Sequence, residues 1–217
     1  MSASIKSQIS AGLQQLAINH EAAAVELLDA YLALLYKWNK RYNLTAIKTP
    51  EEAVTQHILD SASIIPYLAK PLAAGPSRLL DVGTGAGLPG LVLAVLCPDN
   101  EYMLLDSNGK KIRFLRQVII ELGLTGVQVL QQRVEDVKSE DLFDTITVRA
   151  FSRLAELVKL CGPLLTADGR ILAMKGAVSD VELDGLPAGF EVVSVDALEI
   201  PGLNAQRHLV QVARVSI

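Results

Sequence analysis

Residues 79–90, LLDVGTGAGLPG, place four glycines (Gly83, Gly85, Gly87 and Gly90) within eight positions directly behind a short apolar run. Glycine adopts positive φ without a Cβ penalty and lets backbone come close to a ligand. Such a run between apolar segments marks a tight strand-to-helix turn, the opening of a βαβ unit. The chain beyond it continues the alternation. Strand candidates fall at 78–82, 101–106, 127–131, 145–149, 170–175, 190–198 and 208–215, and helix candidates at 88–96, 109–122 and 154–165. Strands alternating with helices of this length imply right-handed crossovers and a mostly parallel seven-stranded sheet covered on both faces. Only PGLNAQ, 201–206, separates the last two strands. A hairpin is expected there, adding an antiparallel strand at one edge of the sheet.

Residues before 70 have a different rhythm. In EAAAVELLDAYLALLYKWN, Val25, Leu28, Leu32, Leu35 and Trp38 recur every three or four positions, one apolar stripe on a helix. Thr49-Pro50-Glu51-Glu52 reads as a helix start, with Thr49 as cap, Pro50 first, and two acids where the helix dipole favours them. That helix is expected to reach about Leu68, and AKPLAAGPS is loop or linker. The expected organisation is an N-terminal helical extension over 1–70 packed on an α/β domain over 71–217.

With 217 residues, half of them apolar, the chain can bury a substantial core. Two cysteines, Cys97 and Cys161, exclude a disulfide framework and a cysteine-rich zinc site, and both read as buried packing residues. His20, His57 and His208 lack metal-ligand spacing, so no metal is expected and all three read as surface or structural residues. The sequence shows neither a signal-peptide pattern nor an apolar run of bilayer length. A soluble protein of a reducing compartment, monomeric and without a membrane partner, is the expectation. The net charge of −4 argues weakly against nonspecific nucleic-acid binding, yet the positive charge is uneven. Lys37, Lys40 and Arg41 cluster, as do Lys110, Lys111, Arg113 and Arg116, and Arg149 with Arg153. Each cluster is either a solvated helix face or part of a basic binding surface.

The glycine loop fits two cofactors. Gly85, Gly87 and Gly90 spell the dinucleotide pattern G-x-G-x-x-G. Asp81 with Gly83, Gly85 and Gly87 spells D-x-G-x-G-x-G, commoner in enzymes that use S-adenosylmethionine. A dinucleotide sets its pyrophosphate on the helix N-terminus. S-adenosylmethionine has no phosphate and brings a sulfonium and an amino acid tail, which makes an acid near the loop useful. Asp81 ends the first strand at a position more often apolar in dinucleotide-binding proteins. Asp106, ending the second strand, suits the ribose hydroxyls of either cofactor. Glu135 and Asp136 come just after the third strand, where a methyltransferase typically holds adenine, and no second substrate domain follows the sheet. Methyl transfer is favoured over hydride transfer. The expected fold is the Rossmann-like class I S-adenosylmethionine methyltransferase fold, in the α/β class.

Two further segments are specific: KWNKRYNLTAI (37–47) and LLDSNGKKIRFLRQV (104–118). Together with DVGTGAGLPG, RVEDV, VRAFSRL and Lys175-Gly176, they make the chain closely resemble the bacterial 16S ribosomal RNA (guanine-N7)-methyltransferases of the small subunit, the glucose-inhibited division protein B family. The resemblance runs from about Leu28 to Arg214 with the motifs in the family's order. DSNGKK stands where many relatives have DSLGKR, which keeps the basic character. The resemblance implies S-adenosylmethionine as methyl donor, 16S ribosomal RNA in the small ribosomal subunit as substrate, and a cytoplasmic enzyme. It also implies cofactor contacts at Gly83, Leu88, Val134, Glu135 and Arg149. Asp81, Gly85, Gly87 and Asp106 join that set from the reading of the loop and strand ends.

Guanine N7 asks little of side chains. Exocyclic amines usually call for an Asn/Asp-Pro-Pro-aromatic loop after the fourth strand, where this chain has VRAF, and pyrimidine C5 needs a cysteine in the catalytic loops. The N7 lone pair is available without proton removal, so no catalytic base is assigned, and Arg149 and Lys175 are positioning candidates. RNA contacts are expected from Asn39, Lys40, Arg41, Lys110, Lys111, Arg149, Arg153, Lys175 and Arg207, the cations by holding phosphates. Tyr42 or Phe151 stacks on an extruded base, or else Tyr42, four residues from Trp38, belongs to the core. Two other readings compete: a methyltransferase of small molecules or proteins, and a noncatalytic ribosome-assembly factor. The basic clusters disfavour the first, and the intact glycine loop and acids the second.

Overall fold

One sheet organises the molecule, its strands being β1 (Arg78–Val82), β2 (Glu101–Leu105), β3 (Val127–Leu130), β4 (Phe143–Arg149), β5 (Leu165–Lys175), β6 (Phe190–Ala197) and β7 (His208–Arg214). Their order is β3-β2-β1-β4-β5-β7-β6, parallel from β3 through β5. The computed structural model describes residues 4–68, 75–137, 142–149, 153–178, 183 and 185–215. The helices are α1 (Ile5–Gln15), α2 (Ala22–Tyr42), α3 (Pro50–Ala53), α4 (Asp60–Ala62), α5 (Gly90–Leu96), α6 (Gly109–Leu122) and α7 (Leu154–Cys161).

The C-terminal hairpin forms, but its antiparallel strand is not at the edge. β7 inserts between β5 and β6, antiparallel to both, and β6 becomes the rim. The residues explain the correction. Leu209, Val210, Gln211 and Val212 are buried consecutively, whereas β6 alternates half-buried and exposed positions. A strand buried on both faces belongs inside a sheet, and one with a period of two belongs at its border.

Successive residues of β1 point to opposite faces. Leu79 joins a core with α1, α2, α5 and α6, and Leu80 joins one with α7. The stripe of α2 (Leu28, Leu32 and Leu35, with Tyr31 beside it) is fully buried there, so the N-terminal helices share a core with the sheet. Burial of such a side chain contributes roughly 2 kcal/mol each. The Phe114 ring of α6 lies 6.4 Å from Tyr31 and 5.8 Å from Trp38.

Residues 50–68 are not the single regular helix expected. Thr49 does cap the start, accepting from the Glu52 N–H at 3.3 Å, with Pro50 first. After α3 the backbone widens into a π-helix, Val54–Leu59, before α4, and Ile65–Tyr67 is a 3-10 turn. A π-turn changes the angular register of the residues after it and is commonly kept where a side chain must be aimed. His57 lies within this turn and Asp60 directly follows it.

Candidate active site at the carboxyl edge of the sheet

Parallel register gathers the strand ends at one edge. Val82 pairs with Leu105 and with Val148, Leu105 with Leu130, Arg149 with Met174, and Lys175 with His208. The glycine loop, Asp106, Arg149 and Lys175 therefore share that edge, as does Arg207 immediately before β7.

Gly83, Gly85 and Gly87 all have positive φ (67°, 63° and 96°). A Cβ on Gly83 would meet nothing within 4 Å, and one on Gly85 nothing nearer than 3.8 Å, so bare backbone faces open space. Gly87 is different: a Cβ would sit 2.3 Å from a Leu91 methyl. Its glycine is required by packing as well as by φ. Leu88 is buried, and Tyr31 of α2 donates to the Ala86 carbonyl at 3.0 Å, tying the helical extension to the loop.

Asp81 lies beneath the loop, 3% exposed. One oxygen accepts from the Thr84 hydroxyl at 2.6 Å and the Gly90 N–H at 2.9 Å, the other from the Thr147 hydroxyl at 3.1 Å. Burial raises its pKa, opposed by these three donors and by the charge of Arg149. Its hydrogen-bond partners are thus the groups that shape the loop. Asp106 is similarly engaged, accepting from the Gly85 N–H at 3.0 Å, the Asn108 N–H at 2.8 Å and the Lys111 ammonium at 3.3 Å. Val134 and Glu135 come after β3 on a 3-10 turn, Val134 half-buried and Glu135 exposed. Open glycine backbone, with acids at the next two strand ends, fits S-adenosylmethionine.

The second half of the site is not legible from sequence windows. Asp60, 2% exposed, accepts from Arg207 Nε at 2.9 Å on one oxygen and from Arg149 Nη1 at 3.3 Å on the other. Arg149 Nη1 also reaches the Gln56 carbonyl at 3.4 Å. His57 is buried beside them, 2.7 Å from the Thr45 hydroxyl and 3.0 Å from the Gln56 carbonyl. Burial first, then the charge of Arg149, pushes its pKa down to about 4. The one hint in the sequence is an acid inside the apolar run HILDSASII.

The remaining candidates divide. Lys40, Arg41, Lys110 and Arg153 are exposed, and Lys175 is half-buried. Lys110 and Lys111 occupy the first turn of α6, where the helix dipole disfavours cations; Lys111 is compensated by Asp106. The Asn39 amide is committed to folding its own loop, accepting from the Thr45 N–H and donating to the Thr45 carbonyl, both at 3.0 Å. Tyr42 is half-buried, its ring 5.4 Å from Trp38, which itself packs against the core. Phe151 lies outside the described residues. Burial pushes Cys97 up to about 11 and Cys161 up to about 12, as for inert packing thiols. His20 and His208 are half-buried, each bonded to a backbone carbonyl. Among the described residues no cluster of His, Cys, Asp or Glu is arranged to hold a metal, and no helix is long and apolar enough to cross a membrane. A cavity of about 740 Å³, with His20 and Cys97 in its lining, lies at the opposite end of the strands, between Asn19–Leu27 and the ends of α5 and α6, away from the glycine loop, Asp60, Arg149 and Arg207.

Comparison with known proteins points the same way. The family model GidB, described as rRNA small subunit methyltransferase G, matches residues 24–210. A ribosomal RNA small subunit methyltransferase G of Chromobacterium violaceum is 50% identical over 94% of this chain and 95% of its own. One from Chromohalobacter salexigens is 49% identical over 99% of this chain and 100% of its own. Among solved structures, the tRNA methyltransferase TrmK of Bacillus subtilis superposes with a TM-score of 0.58 at 13% identity, covering 75% of this chain and 68% of that one. TrmN of Thermus thermophilus gives 0.57 at 19% identity, covering 75% and 53%. These two likenesses establish the fold.

Proposed function

The chain belongs to the GidB family, rRNA small subunit methyltransferase G, and from that membership we propose that it methylates N7 of a guanine in 16S ribosomal RNA. The observation that carries the reading is the juxtaposition, on one sheet edge, of open glycine backbone, Asp106 and cationic side chains. S-adenosylmethionine supplies an electrophilic methyl carbon on a sulfonium. The chain's task is alignment, because displacement at that carbon requires donor, carbon and nucleophile in line. Gly83 and Gly85 offer backbone to the cofactor's amino acid tail, and Asp81 holds that backbone in shape. Asp106 accepts from ribose hydroxyls, and Val134 and Glu135 border the adenine. Arg149 faces the cofactor from the fourth strand end.

On the acceptor side, Lys40, Arg41, Lys110, Lys111, Arg153, Lys175 and Arg207 hold RNA. Phosphate contacts of this kind fix the position of the nucleic acid and leave the base free to be presented. N7 carries its lone pair without losing a proton, so methyl transfer to it calls for no general base. Asn39 serves RNA through the loop it folds. The enzyme acts as a cytoplasmic monomer on the small subunit. The test is acceptor dependence: methyl incorporation from labelled cofactor should require small-subunit RNA and fall steeply between about 50 and 200 mM salt. Incorporation into protein or small molecules with RNA absent contradicts the reading.

A further inference from the structure

We propose that Asp60 is a positioning residue: one buried carboxylate fixes the spacing between Arg149 on the cofactor side and Arg207 on the RNA side. The inference rests on the function proposed above and names what sets donor against acceptor. Asp60 binds one arginine with each oxygen, so both guanidiniums are tied to a single carboxylate. The two partners lie 89 and 147 residues away along the chain, one ending β4 and one leading into β7. Their side chains are 29% and 27% exposed against 3% for Asp60, so the inner ends are clamped while the outer faces remain open. Each arginine keeps its Nη2 group without a protein partner among the described residues.

A buried ion pair of this kind is weak evidence of a role in stability. Removing charges from water offsets most of what a buried ion pair contributes, and apolar residues of similar volume commonly do as well. What the pair does supply is geometry. The carboxylate stands at the end of the π-helical turn, whose Gln56 carbonyl takes a second contact from Arg149. Neighbouring His57 stays neutral and adds no third cation to the group. A displacement of about 1 Å costs an in-line reaction on the order of 100-fold, so a fixed link between the two binding halves acts on turnover rather than on either affinity.

Asp60→Asn keeps the volume and one acceptor oxygen but replaces the other with a donor. With 16S RNA as acceptor, kcat should fall at least about 30-fold. The Kd for S-adenosylmethionine by calorimetry and the Kd for RNA should each stay within about threefold of wild type, below the effect of losing one good hydrogen bond. Wild-type kcat in this variant overturns the proposal, and so does a parallel loss of both affinities with turnover, the mark of a merely structural residue. If Asp60→Asn does not fold, Arg207→Lys serves: it keeps the cation for RNA and removes the Nε–H that binds Asp60. It should lose turnover while retaining RNA affinity and its salt dependence, and retained turnover overturns the proposal. Wild-type enzyme that leaves 16S RNA unmethylated overturns the underlying function instead, and that is seen before any variant is made.

Discussion

The glycine loop and the arginine cluster stand at the same edge of the sheet and are built in opposite ways. The loop is local: Asp81 reaches Thr84 and Gly90 within nine residues, and Thr147 only from the adjacent strand. It is held by neutral donors on a buried acid. The cluster is non-local, one acid from the helical extension holding arginines from two distant strand ends, and its outer faces meet solvent. The helical extension is therefore part of the site and not merely a cover for one face of the sheet. The glycine loop rests mainly on the sheet, with Tyr31 of α2 tied to its Ala86 carbonyl, whereas the arginine cluster depends directly on how the helices pack on the sheet.

The contrast breaks first at Gly87. Gly87→Ala combines a φ of 96° with a Cβ 2.3 Å from Leu91, and should cost about 3 kcal/mol and abolish cofactor binding, read by melting and calorimetry. Asp81→Ala should come next. It strands three donors in the interior, for about 2 kcal/mol, and should weaken the cofactor far more than RNA, as Glu135→Ala should on the exposed side without loss of stability. Arg207→Ala should do the reverse, weakening RNA about 10-fold with cofactor affinity unchanged; equal effects on both ligands would refute the division into halves.

A smaller effect comes from His57. Its folded pKa of about 4 lies below the ordinary 6.5. Between those values the unfolded chain takes up a proton that the folded protein refuses, so stability falls as pH falls, by about 1.4 kcal/mol per unit. Asp81, raised by burial, slopes the other way, so the useful comparison is wild type against His57→Gln, which share it. The variant should show the shallower loss. Smallest of all, Lys110→Ala should reduce the salt slope of RNA binding by about one and leave the cofactor untouched.

Local features were the legible ones. β1 and α6 lie where periodicity puts them; Asn108 caps α6 through the Lys110 N–H and Gly123, with φ 65°, ends it. The placement of the glycines and acids at successive strand ends was equally open to reading, since they follow strands in register. The hairpin was legible but its placement required comparing HLVQVAR with FEVVSVDA, one continuous in burial and the other alternating. Asp60 was hidden for a physical reason: nothing within a window of sequence reports that an acid in an apolar run will meet an arginine 147 residues later. Asn39 shows the converse. Its place in a basic segment suggested an RNA contact, while its amide folds the turn after it.

The most direct measurement is mass spectrometry of nucleosides from small-subunit RNA incubated with the purified protein and S-adenosylmethionine, using RNA from cells that lack the gene. N7-methylguanosine should appear at a single position and be absent without the protein. Methylation of another base atom, or RNA left unchanged while the cofactor is bound, would contradict a site built to align guanine N7 without a general base.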